Sequence, residues 1–148
     1  MVTNPGTANQ TVRYLRISLT DRCNFRCRYC MPAEGVRKIP RSEILRYDET
    51  LAIVRLMVER FGARKVRVTG GEPLVRLGVC DFLAELHSVP GLEDISLTTN
   101  GSLLEPMAGG LREAGLRRIN ISLDTFRRGL FQKITMADAL PQVLRGIE

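Results

Sequence analysis

Residues 13–20, RYLRISLT, alternate between polar and apolar side chains and lie just before three closely spaced cysteines. Alternation with a period of two is typical of a β-strand, because successive side chains point to opposite faces of a sheet. The apolar set is Leu15, Ile17 and Leu19, and the polar set is Arg16, Ser18 and Thr20. The segment therefore predicts a strand with one apolar and one polar face.

Three further segments repeat this alternation, at residues 65–69, 94–99 and 118–123. Their apolar faces carry Val66, Val68, Ile95, Leu97, Ile119, Ile121 and Leu123. Their polar faces carry Lys65, Arg67, Thr69, Ser96, Thr98, Asn100, Arg118, Asn120, Ser122 and Asp124. Helical patterns separate the strands, and the strand-then-helix unit occurs four times, which predicts parallel βα units.

The helical patterns carry their own start and stop signals. We expect a first helix that Asp48 caps and Gly62 ends, and a second that stops at Pro90-Gly91. Ser102 and Glu105 have the spacing of a capping box for a third helix. A fourth helix is expected near residues 137–147, where Pro141 falls in the first turn and is tolerated there.

The polar strand face sets the expected architecture. A parallel sheet that helices cover on both faces is apolar on both, and an ordinary closed barrel packs its interior with branched apolar residues. We therefore expect an α/β fold with a curved sheet, helices outside and a polar lumen, that is, a partial (βα) barrel of about four units. The alternative is a polar sheet face that is simply exposed.

Length and composition limit the class of protein. The 148 residues are 44% apolar, enough for one domain with a core, which we place at residues 11–148 after a disordered segment at 1–10. There is no apolar run of about 20 residues and no signal-peptide pattern, so we expect a cytoplasmic protein without a membrane segment. The net charge of +6 suits an anionic partner, or only a solvated surface.

The cysteine spacing, Cys23-x3-Cys27-x2-Cys30, indicates a metal site after the first strand. Zinc normally takes four Cys or His ligands, and the chain's single histidine, His87, lies in the second helix. Three thiolates on a [4Fe–4S] cluster leave one iron open for another ligand. Zinc stays the alternative, and Cys80, which stands alone, is expected to be a packed core residue.

The motifs LRISLTDRCNFRCRYCMP, KVRVTGGEPLVR, LTTNG and INISLDT resemble the radical S-adenosylmethionine (SAM) superfamily, and within it the molybdenum cofactor biosynthesis protein A family of GTP 3′,8-cyclases. The resemblance runs from about residue 13 to the end. It implies a cluster-dependent cleavage of SAM to a 5′-deoxyadenosyl radical, which abstracts the ribose 3′ hydrogen of GTP before the sugar carbon attacks C8 of guanine.

The resemblance also assigns residues. Cys23, Cys27 and Cys30 would bind a [4Fe–4S] cluster, and the SAM contacts would be Tyr29, Gly70, Gly71, Glu72 and Ser122. The GTP contacts would be Arg16, Lys65, Arg67 and Thr98, all on the polar strand face. Taken alone, Tyr29 could be a packing residue, the GGEP sequence an ordinary turn, and Lys65 a surface charge.

The same resemblance implies partners and a longer protein. A flavodoxin-like or ferredoxin-like electron donor is expected, a nucleic acid is not, and a homodimer stays open. The family continues with further βα units and a C-terminal domain whose three cysteines hold a second cluster, so we expect these 148 residues to be a truncated half-barrel without activity alone. The other hypotheses are a radical SAM enzyme acting on a peptide or RNA, and a non-catalytic iron–sulfur fragment.

Overall fold

The computed structural model describes residues 12–32 and 35–148 and contains one four-stranded sheet in the order β1-β2-β3-β4. The strands are β1 (Tyr14–Ser18), β2 (Lys65–Thr69), β3 (Asp94–Thr99) and β4 (Arg118–Ile121). Every neighbouring pair is parallel, which confirms the predicted α/β architecture. The strand predicted at 118–123 ends two residues early, and the predicted disorder at 1–10 lies outside the described residues.

Five α-helices lie among the described residues, one more than predicted. They are α1 (Tyr47–Phe61), α2 (Val79–His87), α3 (Leu104–Glu113), α4 (Arg128–Thr135) and α5 (Leu140–Ile147). Short 3-10 turns occupy Arg41–Glu43 and Pro73–Val75. Gly62 ends α1 in the left-handed conformation, and Pro141 lies in the first turn of α5, both as predicted.

Both predicted N-terminal helix caps, Asp48 and Ser102, are wrong. Arg46 is the N-cap of α1, and its backbone N–H donates to the Glu49 carboxylate at 2.7 Å, whereas Asp48 forms an ion pair with the Arg46 side chain. Helix α3 begins at residue 104 without a capping side chain. The Ser102 side chain lies before the N-cap, Leu103, and its hydroxyl donates to the Asn100 side chain instead.

The strand parity that the sequence predicts is confirmed by the register. Leu15 lies opposite Val66, and Val66 lies opposite Ile95. These apolar side chains pack against α1, α2 and α3, where Val54 and Leu86 are fully buried. The helices therefore cover the apolar face, and burial of that face is the main source of stability.

The opposite face is polar along its whole width. Arg16, Arg67, Ser96 and Arg118 lie side by side across the four strands. Arg16 and Arg118 are exposed on this face, so the fold is a partial barrel whose interior side is largely open. Within residues 12–32 and 35–148 no helix is long and apolar enough to span a membrane.

Candidate functional site

The cysteine loop follows β1 at the carboxyl end of the sheet. Cys23 and Cys27 are half-buried, Cys30 is exposed, and all three thiols are free. The backbone N–H groups of Cys30 and Met31 both donate to the Cys27 carbonyl, at 2.9 and 3.1 Å. These hydrogen bonds form a turn that contains the second and third cysteines.

Helix α4 supports this loop. The backbone N–H of Arg26 donates to the Thr135 carbonyl at 3.0 Å, and that of Arg28 donates to the Ile134 carbonyl at 2.9 Å. Phe25, between the first two cysteines, packs edge-on against Phe131 with ring centroids 5.8 Å apart. The loop is thus fixed to the C-terminal turn of a helix that the sequence did not predict.

The side chains around the loop fit a group that takes three protein ligands. No set of three or more Cys, His, Asp or Glu side chains in the described part of the chain is close enough to hold a single metal ion. His87 packs beside Gly115, which precedes β4, so it lies at the opposite end of the strands. The loop itself offers three free thiols, the number of protein ligands that a cluster with one open iron takes.

Burial affects the protonation of these thiols. It raises the pKa of Cys23 and Cys27, while the hydrogen bond from the Phe25 N–H acts against the rise at Cys23 and the nearby Tyr29 hydroxyl acts against it at Cys27. Metals bind the thiolate form of cysteine. A metal bound by these thiols would therefore displace their protons, and the free energy of coordination would have to offset the cost of deprotonation.

The GGEP loop after β2 lies directly against the loop after β1. The Gly71 N–H donates to the Thr20 carbonyl at 2.6 Å, and the Glu72 N–H donates to the Arg22 carbonyl at 2.8 Å. A Cβ on Gly71 would lie 2.4 Å from the Arg22 oxygen. At this position glycine is required by the contact between two backbones.

Glu72 is fully buried and its carboxylate accepts three hydrogen bonds. Oε1 accepts from the Leu74 N–H at 3.0 Å and from the Thr99 hydroxyl at 2.7 Å, and Oε2 accepts from the Asn100 N–H at 2.7 Å. Desolvation raises the pKa of Glu72, and the three hydrogen bonds oppose that rise. The carboxylate thus joins the GGEP loop to the end of β3.

The other two predicted SAM positions lie around the same end of the sheet. The Tyr29 ring is exposed, and its hydroxyl donates to Asp124 Oδ2 at 3.0 Å. Ser122 is exposed just beyond β4, and its N–H donates to the Thr99 carbonyl at 2.9 Å. The sequence prediction missed Asp124, although it stands two residues after Ser122 on the same strand parity.

The four predicted GTP positions share the polar sheet face but differ in depth. Arg16 and Arg67 are direct neighbours across β1 and β2. Thr98 lies beside Asn120, nearer the cysteine loop. Lys65 begins β2, two residues before Arg67 on the same face, and at about 16 Å along the strand is the position farthest from the GGEP loop.

Arg67 is held in a distinctive environment. Its guanidinium lies 5.6 Å from the centre of the Tyr14 ring, and its buried Nε–H has no hydrogen-bond partner among the described residues. Arg118, which was not predicted as a site residue, shares the row but forms an ion pair with Asp94. The unneutralised cations of the row are therefore Arg16 and Arg67.

Comparison with known families identifies the superfamily of the chain. Residues 17–148 match the Radical SAM superfamily. The chain belongs to this superfamily. Membership implies an iron–sulfur cluster and SAM as cofactors.

Within the superfamily the chain is similar to proteins named GTP 3′,8-cyclase. It is 52% identical over 136 residues to the protein of Geobacter sulfurreducens, covering 92% of this chain and 41% of that relative. It is 49% identical over 142 residues to the protein of Pelotomaculum thermopropionicum, covering 96% of this chain and 43% of the relative. The chain thus spans about two fifths of the length of these curated relatives.

Proposed function

We propose that this chain carries the SAM-binding half of a GTP 3′,8-cyclase active site. The observation that carries the proposal is a juxtaposition on one sheet. Three free thiols and the GGEP loop meet at the carboxyl end of β1 and β2, and an unneutralised arginine pair lies on the polar face below them. Parallel βα folds bind their ligands at this end of the strands.

Cys23, Cys27 and Cys30 are the proposed ligands of a [4Fe–4S] cluster. When bound, the cluster supplies the electron that cleaves SAM. The chain's own part is to hold three thiolates in a loop fixed at its base by α4. Cys30 is the exposed member, and we propose that a flavodoxin-like or ferredoxin-like donor reaches the cluster from its side.

The proposed SAM contacts surround this loop. Gly70 and Gly71 let the GGEP loop lie against the loop after β1, and Ser122 offers an exposed side chain. Tyr29 is proposed to lie against the adenine, held by its hydrogen bond to Asp124. Glu72 is fully buried and its carboxylate accepts from Leu74, Thr99 and Asn100, so its proposed part is to hold the GGEP loop against the end of β3 rather than to contact the SAM ammonium group.

The proposed GTP contacts are Arg16, Arg67 and Thr98, with Lys65 at the far end of the face. Like charges side by side on one sheet face are destabilising unless something neutralises them. No carboxylate of the described residues forms an ion pair with Arg16 or Arg67. A triphosphate would supply the missing charge, and arginine pairs bidentately with phosphate oxygens.

Anaerobic reconstitution tests the cluster site. We expect about four irons per chain, lost in Cys27→Ala and retained in Cys80→Ala, whose thiol lies in α2. Adding SAM to the reduced protein should change its EPR spectrum. Zinc uptake in place of iron, or a spectrum unchanged at saturating SAM, would refute the proposal.

Binding of GTP tests the polar face. Arg16→Ala and Arg67→Ala should each weaken GTP binding by about fivefold to tenfold, the scale of one exposed charge-assisted contact. Arg112→Ala, which removes an exposed arginine from the helix side of the sheet, is the matched control and should leave binding unchanged. Equal losses in all three variants would mean that net charge, rather than this face, attracts the nucleotide.

A further inference from the structure

The carboxyl end of β3 reaches the first cysteine of the loop. The Asn100 Nδ2–H group lies 3.8 Å from Cys23 Sγ, within hydrogen-bond range for sulfur. The Phe25 N–H donates to the same sulfur at 3.4 Å. Cys23 therefore receives one backbone donor from its own loop and one side-chain donor from a different strand.

Asn100 belongs to a closed ring of three side chains beside Cys23. Its Nδ2–H donates to Asn24 Oδ1 at 2.8 Å, and the Asn24 Nδ2–H donates to Ser102 Oγ at 2.8 Å. The Ser102 hydroxyl then donates to Asn100 Oδ1 at 2.7 Å and completes the ring. Each member donates one hydrogen bond within the ring and accepts one.

A backbone group fixes the direction of this ring. The Ser102 N–H also donates to Asn100 Oδ1, at 3.0 Å. A backbone N–H is only ever a donor, so the oxygen of the Asn100 amide must face Ser102 and its NH₂ must face Asn24 and Cys23. Turning the amide over would place two donors against each other and leave the sulfur without its partner.

The backbone of Asn100 is held as firmly as its side chain. Its N–H donates to the buried Glu72 carboxylate at 2.7 Å, and the neighbouring Thr99 hydroxyl donates to the same carboxylate. Glu72 thus fixes the main chain of Asn100, and the ring fixes the amide. Asn100 thereby links the carboxylate of the GGEP glutamate to the Cys23 sulfur.

We propose that Asn100 is a positioning residue of the cluster site, whose side-chain amide donates a hydrogen bond to the Cys23 sulfur and holds the first cysteine of the loop in place. The inference rests on the proposed cluster function. A donor to a ligand sulfur stabilises the extra negative charge of a reduced cluster, so it raises the reduction potential. Ser102 and Asn24 act through Asn100 by orienting its amide.

The experiment is a redox titration of the full chain after anaerobic reconstitution, followed by EPR. In Asn100→Ala, the ratio of reduced to oxidised cluster at a fixed potential should fall about fivefold, the scale of one hydrogen bond. Comparing ENDOR spectra in H₂O and D₂O identifies exchangeable protons coupled to the reduced cluster. The coupling from the Asn100 amide proton should be absent in Asn100→Ala. Ser102→Ala keeps the amide but loses one ring bond, and should shift the ratio in the same direction by less.

The control is Gln142→Ala, which removes an exposed amide from α5 and should change neither signal. A normally loaded Asn100→Ala with an unchanged ratio would overturn the inference and leave the cluster function intact. Should Asn100→Ala take up no iron, Ser102→Ala decides, and an unchanged ratio there overturns the inference. Absence of iron uptake by the unsubstituted chain would overturn the proposed function and this inference together.

Discussion

Gly71 shows how a single atom would disturb the site. Its backbone is pressed between β2 and the loop after β1, and an added Cβ would lie 2.4 Å from the Arg22 oxygen and 2.7 Å from the Arg22 carbonyl carbon. Both neighbours are backbone atoms, which cannot move aside as a flexible side chain can. The two loops could accommodate a methyl group only by separating.

We therefore predict that Gly71→Ala destabilises the protein by about 1–3 kcal/mol, the usual cost of overpacking a fixed site. The measurement is the free energy of unfolding in urea. Gly109→Ala is the control, since a Cβ there meets no atom within 4 Å and alanine favours the helix. Equal stability of Gly71→Ala and the unsubstituted chain would mean that the loops separate at no cost.

The buried carboxyl group of Glu72 makes the free energy of unfolding depend on pH. Desolvation raises its pKa above the ordinary value of 4.5 in the folded chain, so ionisation favours the unfolded state. Its contribution to stability is complete below pH 4.5 and is lost as the pH rises through the folded pKa. The slope in that window is at most about 1.4 kcal/mol per pH unit.

Glu72→Gln removes this titration. Urea unfolding of the metal-free chain at a series of pH values from 4.5 upward should show the extra decline in the parent protein and not in the variant. The difference between the two curves is what counts, because the glutamine amide also leaves the Asn100 N–H without its acceptor. Parallel curves would show that Glu72 titrates alike in both states.

At the scale of elements, α4 connects the packing of the molecule to its chemistry. Phe131 on this helix is 2% exposed and packs with Phe25, Leu140 and Val143 in a second core, which meets the sheet at Ile121 of β4. Cys23 and Cys27 pack at the edge of this second core. A change in α4 should therefore reach the cysteine loop without passing through the sheet.

Phe131→Ala should cost about 3–5 kcal/mol of unfolding free energy and reduce iron uptake on reconstitution. Hydrogen exchange gives the local measurement, since the Arg26 and Arg28 amides bonded to α4 should exchange faster while β2 amides do not. Phe126→Ala, at a side chain 75% exposed, is the control and should change neither quantity. Full iron uptake by folded Phe131→Ala would show that the loop does not depend on α4.

The sequence predicts the strands well and α4 not at all, for a physical reason. Alternation in a strand is local, so the polar row of Arg16 and Arg67 could be read from parity alone. Helix α4 has few apolar residues, and its buried Phe131 meets a partner more than 100 positions away in Phe25. No pattern within α4 reports that contact.

The candidate site also combines local features that the sequence predicts with long-range contacts that it does not. Cysteine spacing and the GGEP sequence are local patterns, and the structure brings both to the end of the sheet that they predicted. The role of Asn100 needs the register of β3 against the loop after β1, 77 positions away. The motif LTTNG contains Asn100, but the partners of its side chain follow only from the tertiary structure.

At the scale of the whole molecule, the open polar face limits what this polypeptide does alone. The chain spans about two fifths of the length of its curated relatives, and Arg16 and Arg118 are exposed on its polar face. Charges on an open face are screened by water and salt, and each contact with a phosphate is then weak. A radical reaction needs its substrate held at roughly 3–3.5 Å and shielded from water.

We therefore predict that the 148-residue polypeptide, with its cluster reconstituted, cleaves SAM slowly to 5′-deoxyadenosine and forms no cyclised GTP. An anaerobic assay with GTP, SAM and dithionite, analysed by mass spectrometry, measures both products. Raising the salt concentration should weaken GTP binding steeply, because nothing in the described structure shields the arginine pair, whereas SAM cleavage should respond less. Cyclised nucleotide at enzyme-like turnover would contradict the prediction. Size-exclusion chromatography of the active sample then distinguishes a dimer that completes the site from a monomer that needs no cover.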